Sequence, residues 1–534
     1  MCAAAVDTSV RDATDATDTG SGGVPPSGRR RVSAPFRRAA HRARGLAPWG
    51  LAVGFFLAYT TVSVLRWAKF GTKSWDLGIF EQAIRGYAHL QAPIADLKGP
   101  GAHILGDHFS PVTALLAPLY RLFPGPVTLL VAQAALFALS VVPVTRAAGR
   151  LLGRAGGLCL GLAYGLSWGL QKAVDFDFHE IAFAVPLIAF SLEALLARRW
   201  RAALGWALPL VLVKEDMGLT LTAIALIVAW RARQAARARA GGEDAGDVTP
   251  GAGESGAGES GAGESGGARA GGEGSVARSR RAVAYAYGVA AFGVIAALLT
   301  FVWIVPAFNT AGAYEYWNRV ESGVPNPFAG VDVKLRTLAW LLLPTGLFAL
   351  RSPIVLAALP TLGWRFVSSD DSYWGIDWHY SAVLMPIVLL AAVDGLARAR
   401  ERGARSRLRA YARQVPLAAA GAAVALSVSL PLGTLTEPAV YRLPASARAA
   451  DALLDRIPDG ATVEANIGPI SRLAGRCRVL WIGNSQGVVP DYVALDNRSG
   501  RYEDPEAHAA RLHPGERFSE LGSAGGFVVL RRVG

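Results

Sequence analysis

PVTLLVAQAALFALSVVPVTRAAGRLLGR, residues 126–154, decides how the rest of the chain is read. Its first part, Pro126–Thr145, carries no charged residue. It is long enough to cross a bilayer core, which takes about 20 residues at a rise of roughly 1.5 Å each. Arg146, Arg150 and Arg154 follow at once. Arginines that close an apolar span mark its cytoplasmic end, because positively charged connections are retained inside. The segment therefore has a direction as well as a length.

The same punctuation recurs on both sides. Upstream, the apolar run Pro48–Trp67 directly follows RRRVSAPFRRAAHRARG, residues 29–45. This reads as an uncleaved first span, preceded by a disordered, basic, cytoplasmic N-terminus over 1–47. Downstream, further apolar stretches bring the count to about eleven spans within 48–432. With the N-terminus inside, the arginines at 198, 199 and 201, those from 231 to 281 and those from 398 to 413 all fall on the cytoplasmic side. The inner connection 231–281 holds GAGESGAGESGAGES, has no residues able to build a core, and reads as a flexible linker.

Composition agrees with this reading. Of 534 residues, 52% are hydrophobic and 18% charged, against roughly a quarter charged in soluble domains. That excludes a purely soluble enzyme and a disordered chain. The net charge of +13 is carried by the arginine runs, and no nucleic-acid-binding motif accompanies it. Cys2, Cys159 and Cys477 form no CxxC pair, so no disulfide framework or zinc ribbon is implied.

After Leu432 the pattern changes. ASARAADALLDRI reads as a helix, PDG as a turn, and ATVEANI, RVLWIG, DYVALD and GFVVLRRV as strands, with EDPEAHAARL a helix between the last two. The expected fold class is an all-α polytopic membrane protein with a small extracytoplasmic α/β domain over 440–534. An outer loop, 68–125, carries amphipathic helices. One of these, with Asp76, Phe80, Ala83 and Tyr87 on one face, is expected to lie on the membrane surface.

This topology gathers the unusual polar residues outside. They are Asp76 in SWDLGIFEQAIRGYAHL, Asp107 and His108 in GDHFSP, and Asp175, His179 and Glu180 in DFDFHE. Lys214, Glu215 and Asp216 follow in KED, and Asp377, His379 and Tyr380 in DWHY. Asp76, with Ser74 as candidate N-cap, starts a helix whose dipole favours an acid there whatever its role. Asp175 and His179 are four apart and would share a helix face, as a metal site or an acid–base pair requires. Any one group has a structural explanation as a cap or interfacial anchor. Their convergence at the outer ends of several helices points to an outward-facing active site.

The runs SWDLGIFEQAIRGYAHL, GDHFSPVTALLAPLYRLFPGP, FHEIAFAVPLIAFSLEALL, VKEDMGL and DWHYSAVLMP resemble a family of uncharacterised bacterial predicted membrane proteins, over about 50–500. More distantly, the layout is similar to the GT-C glycosyltransferases. These take sugars from polyprenyl-phosphate donors and carry a catalytic acid just after the first span. The resemblance implies that Asp76 is that acid, the base toward the acceptor. It implies Asp175, His179 and Glu180 as further catalytic groups. Lys73, Arg85, Lys172, Lys214, Arg319 and Arg365 become candidate phosphate partners, and His108, Glu215, Asp216, Asp377, His379 and Tyr380 candidate substrate contacts. A divalent metal is a candidate cofactor, with Asp107, His108, Asp175 and His179 as candidate ligands. The chain departs from the pattern in lacking a DD, DE or DxD pair, since Leu77 and Gly78 follow Asp76.

Two other functions stay open. A transporter or flippase of lipid-linked substrates would place polar groups in mid-membrane and show internal repeats, whereas these groups sit at helix ends. A non-enzymatic envelope assembly or sensor protein would act through its C-terminal domain. The implied partners are the bilayer of a bacterial plasma membrane and a polyprenyl-phosphate-linked sugar.

Overall fold

The computed structural model describes residues 34–73, 75–244, 265–314, 328–401 and 404–533. The helices are α1 (Ala34–Ala68), α2 (Asp76–Ala88), α3 (Ala117–Leu122), α4 (Pro126–Leu152), α5 (Arg154–Gly165) and α6 (Trp168–Asp175). Then come α7 (Ala184–Leu196), α8 (Trp200–Ala207), α9 (Met217–Asp244), α10 (Ser265–Leu299), α11 (Val331–Leu342) and α12 (Leu359–Val367). The last are α13 (Leu384–Arg400), α14 (Ser406–Ser427), α15 (Ala445–Leu454), α16 (Ile467–Leu473) and α17 (Pro505–Leu512).

Among the described residues, four helical segments are long and apolar enough to cross a membrane: Gly45–Ala68, Pro126–Leu152, Arg280–Phe308 and His379–Arg400. Some of the other expected spans are interrupted, while Met217–Trp230 and most of Val415–Leu432 lie in the continuous helices α9 and α14. The run Gly156–Ala173 is split into α5 and α6, with Ser167 extended between them. The break is held by α1, whose Tyr59 hydroxyl donates to the Gly165 carbonyl. Pro209 and Pro360 open short helical turns in the same way, because proline ends the hydrogen-bond ladder before it. Hydropathy alone averages across such breaks.

Two boundaries also move. Residues 34–47, expected to be disordered, are helical, and 1–33 lie outside the described residues. The linker 231–281 is largely taken up by the end of α9 and the start of α10, while 245–264 lie outside the described residues.

The helices sort their charges by end. Glu193 of α7 accepts from Arg146 at 2.6 Å and Arg150 at 2.9 Å. Asp394 of α13 accepts from Arg231, from Arg398 at 3.1 Å and from Ser352 at 2.7 Å. These buried acids each neutralise two arginines, in the last two turns of α4, midway along α9 and in the last turn of α13. Of the same helices, α7, α9 and α13 begin close after Glu180, Asp216 and His379, and Gln133 lies in the second turn of α4. One pole is thus basic and the other carries the acids and imidazoles.

The C-terminal strands are β1 (Thr462–Ala465), β2 (Arg478–Trp481), β3 (Tyr492–Asp496), β4 (Arg517–Ala524) and β5 (Phe527–Val533). They form one sheet in the order β2-β1-β3-β5-β4. β1 is parallel to both β2 and β3, and β5 is antiparallel to β3 and β4. Helix α15, four strands and α17 match the sequence expectation. β4 and α16 do not, since RFSELGSA is a polar edge strand without apolar alternation.

The sheet packs on the stretch 68–125 and the end of α1. Arg472 lies 3.6 Å over the Trp67 ring and Gln82 donates to Val479 O at 2.9 Å. Ile79 and Ala83 of α2 join Ile470, Leu473 and Val479 in one apolar cluster. The other side of α2, with Leu77, Phe80 and Ile84, packs on Tyr120, Leu129 and Phe178. Gly78 allows the approach, because a Cβ there would sit 2.2 Å from Ile470 Cγ2. α2 is therefore buried on both faces, so the stripe expected to rest on a membrane surface is covered by protein. Each large apolar side chain so covered contributes about 1.5–3 kcal/mol.

Candidate functional site

A cavity of ≈ 800 Å³ opens at the acidic and imidazole-bearing pole. Asp76, Asp107, His108, His179, Lys214, Glu215, Asp216, His379 and Tyr380 all line it, as does Lys73. Groups from five separate stretches of sequence thus meet in one space.

Asp76 is the first residue of α2, next to Trp75, whose carbonyl accepts the Ile79 amide at 3.0 Å. Ser74, the expected cap, lies outside the described residues. Beside Asp76, Lys73 pairs with Asp175, and its amide donates to Asp177 at 3.0 Å. Asp175 also accepts from Arg66 at 2.9 Å. It closes α6 and does not reach the cavity.

Between α6 and α7 the chain leaves the helix over 176–179 and makes one short 3-10 turn, Glu180–Ala182. Asp177 has φ 78° and His179 is extended, so Asp175 and His179 do not share a helix face as their spacing suggested. The His179 amide donates instead to Gln133 in α4 at 3.0 Å. Its ring meets Glu180, which also faces Lys214 at 3.3 Å. Glu180 is fully buried behind the cavity wall. Burial alone would raise its carboxyl, yet His179 and Lys214 hold it well below the usual carboxylate range.

The KED run forms the opposite wall. Glu215 accepts from His108 Nδ1 at 2.8 Å, from the Phe109 amide at 3.2 Å and from Tyr314 at 2.9 Å. Against its burial, His108 and Lys214 keep it below its ordinary value. Lys214 is desolvated, but Glu180, Glu215 and Asp216 raise it above the ordinary lysine range. Asp216 accepts from Trp364 at 2.9 Å, and burial with the neighbouring Glu215 pushes it up to about 6. His108 is raised too: Glu215 and Asp107 outweigh burial and the nearby Lys214. Asp107 pairs with Lys98 at 2.9 Å.

His379 stacks on His179 with centroids 3.7 Å apart. Neither of its ring nitrogens has a hydrogen-bond partner among the described residues, although it is 2% exposed.

Other sequence candidates fall elsewhere. Arg365 is fully buried and spends its guanidinium on Tyr373 O, Gly375 O and Ser381, fixing the loop before α13. Arg85 donates to Cys477 O at 3.1 Å. Lys172 and Asp377 pair with each other at 3.3 Å and do not line the cavity. Arg319 lies outside the described residues. The four metal candidates do not assemble. Asp175, Asp107, His108 and His179 have separate partners, and among the described residues no group of three or more His, Cys, Asp or Glu could hold a metal ion.

Sequence reasoning missed Lys98, Tyr314, Trp364, Trp75, Trp481 and Ile467, all of which line the cavity. Ile467 and Trp481 belong to the C-terminal sheet region, which therefore closes one end of the space. The cavity is chemically two-sided. Leu219, Phe301 and Val367 supply an apolar flank from helices whose neighbouring side chains, Val302 at 72% and Leu359 at 57%, are exposed. The acids, lysines and imidazoles share the rest with aromatic side chains, among them Trp75, Phe80, Phe176, Trp378 and Trp481.

Comparison with known proteins places the fold. Residues 66–527 match the family described as Predicted membrane protein (DUF2079), and the chain belongs to that family. No curated protein matches it. The solved structure of ArnT from Cupriavidus metallidurans bound to undecaprenyl phosphate superposes with a TM-score of 0.50 at 13% identity. It covers 90% of this chain and 97% of that one. ArnT from the same organism in the apo state gives 0.46 at 14% identity, over 90% and 98%. The likeness is one of fold.

Proposed function

We propose that this family member is a membrane-embedded glycosyltransferase. It moves a sugar from a polyprenyl-phosphate carrier to an envelope acceptor at the outer face of a bacterial plasma membrane. The observation that carries the reading is the two-sided cavity, in which Asp76 and the lysines meet an apolar flank made by exposed helices. A carrier lipid has the same two-sidedness. The fold likeness to ArnT, solved with undecaprenyl phosphate, supports it.

In this reading Asp76 is the base. The acceptor hydroxyl oxygen bonds to the anomeric carbon as the carbon–oxygen bond to the phosphate breaks. The electron pair leaves on the phosphate, and the hydroxyl proton passes to Asp76. Lys73 and Lys98, which line the cavity with Asp76, balance the departing charge. Lys214, His179 and His379, with Glu215 and Asp216, hold the polar part of the substrates. The interrupted stretches complete the bundle as broken or tilted crossings, with the basic pole cytoplasmic and the sheet outside.

The test is turnover. Protein reconstituted in vesicles with radiolabelled undecaprenyl-phosphate sugars and an envelope fraction should release bare undecaprenyl phosphate and label the acceptor. Absence of both with every donor tried would remove the enzyme reading.

A further inference from the structure

We propose that Trp75 and Trp481 form the saccharide subsite of the cavity, so that the C-terminal sheet is part of the substrate-recognition surface. The inference rests on the glycosyltransferase reading and deepens it.

Trp75 comes from the outer loop and Trp481 from the end of β2, yet their ring centroids are 4.8 Å apart at 71° and both line the cavity. Parallel pairing fixes Trp481, since it stands opposite Ala465 at the end of β1. The carboxyl ends of the parallel strands face the outer loop: beyond β2, Asn484 donates to Lys98 O, and beyond β3, Arg498 donates to Phe70 O. Ligands of parallel α/β sheets bind outside those ends. Here that edge is turned onto the cavity.

The chemistry of this end suits a sugar. Aromatic faces cover the C–H faces of a pyranose or furanose ring, and fringe charges bond its hydroxyls. Lys98 lies 5.5 Å over the Trp75 ring and pairs with Asp107 at 2.9 Å, so the aromatic pair is bordered by a charged donor and acceptor. Asp76 is the next residue after Trp75, which sets a carboxylate beside the platform. The apolar flank of Leu219, Phe301 and Val367 comes from other helices and is left for the carrier chain.

The test compares the affinities of full-length protein in nanodiscs for undecaprenyl phosphate, bare or carrying a glucosyl, mannosyl or arabinofuranosyl residue. Wild type should prefer at least one glycosylated lipid by roughly tenfold. Trp481→Leu, which keeps apolar bulk, should lose that preference while holding bare lipid within about twofold, and Trp481→Phe should retain most of it. Equal wild-type affinities for bare and glycosylated lipid would overturn the subsite and leave the lipid reading standing. So would a preference that survives in Trp481→Leu. Failure of wild type to bind any of these lipids would overturn the glycosyltransferase reading itself.

Discussion

His179 and His379 lie ring over ring, 3.7 Å between centroids and 25° between planes, although one follows α6 and the other precedes α13. Both rings are also flanked by phenylalanines, Phe80 against His179 and Phe176 against His379. A buried imidazole with both nitrogens unpartnered contributes nothing to the fold through hydrogen bonds and loses hydration. In the proposed enzyme, a substrate group supplies the missing partner.

His379→Phe is therefore expected to leave the thermal midpoint unchanged or slightly higher, because an apolar ring of similar shape fills the same stack. Transfer should fall by roughly 10- to 100-fold, the worth of a hydrogen bond to a charged group. Differential scanning fluorimetry with the turnover assay checks both halves. A large loss of stability with unchanged turnover would make His379 a packing residue.

Glu81 gives the pH dependence. It is fully buried in α2, accepts from Tyr120 at 3.0 Å, and leaves its second oxygen without a hydrogen bond among the described residues. Burial raises its carboxyl to about 8, partly offset by Tyr120 and Arg85. The folded state thus keeps the proton after the unfolded state has lost it. Stability is full below the ordinary glutamate value, falls as pH rises toward 8, and levels off above that. The loss is on the order of 5 kcal/mol at most. Glu81→Gln should flatten the profile between pH 5 and pH 9 and be the more stable protein at pH 8. Parallel profiles for the two proteins would contradict this.

Arg472 fastens the sheet to the end of α1. It lies over Trp67 and Phe70, bonds Asp451 at 2.7 Å and donates to Trp67 O at 3.2 Å. Arg472→Ala should cost about 1–3 kcal/mol, since it removes the stack on two rings while the Asp451 side chain, 37% exposed, keeps access to water. Faster proteolysis within 440–534, with the helical part intact, is the expected readout.

The orientation is testable by labelling. In a cysteine-free background, Asp377→Cys should react with an impermeant maleimide on intact cells, and Arg201→Cys only after permeabilisation. Both side chains are exposed, so accessibility reports sidedness. The reverse result would move the cavity to the cytoplasmic face.

The separation of the two poles was legible because arginine placement is a local signal repeated at every turn. Convergence of Asp76, His108, His179, the KED run and His379 followed from that sorting. What the residues do not reveal is who answers each charge. Arg85 and Arg365 look like phosphate ligands until backbone carbonyls are seen to occupy them. The amphipathic stripe of α2 would serve a membrane surface or a protein layer equally well. The tryptophans at 75 and 481 become a pair only through sheet register, and Lys98 and Tyr314 acquire a role only by tertiary contact.

The central claim is that Asp76 removes the acceptor proton in this cavity. Its most direct measurement is single-turnover sugar transfer by Asp76→Asn at equal amounts of folded protein. The account predicts a loss of about 10²–10⁴-fold with carrier-lipid affinity retained, and a wild-type rate in that variant would contradict it.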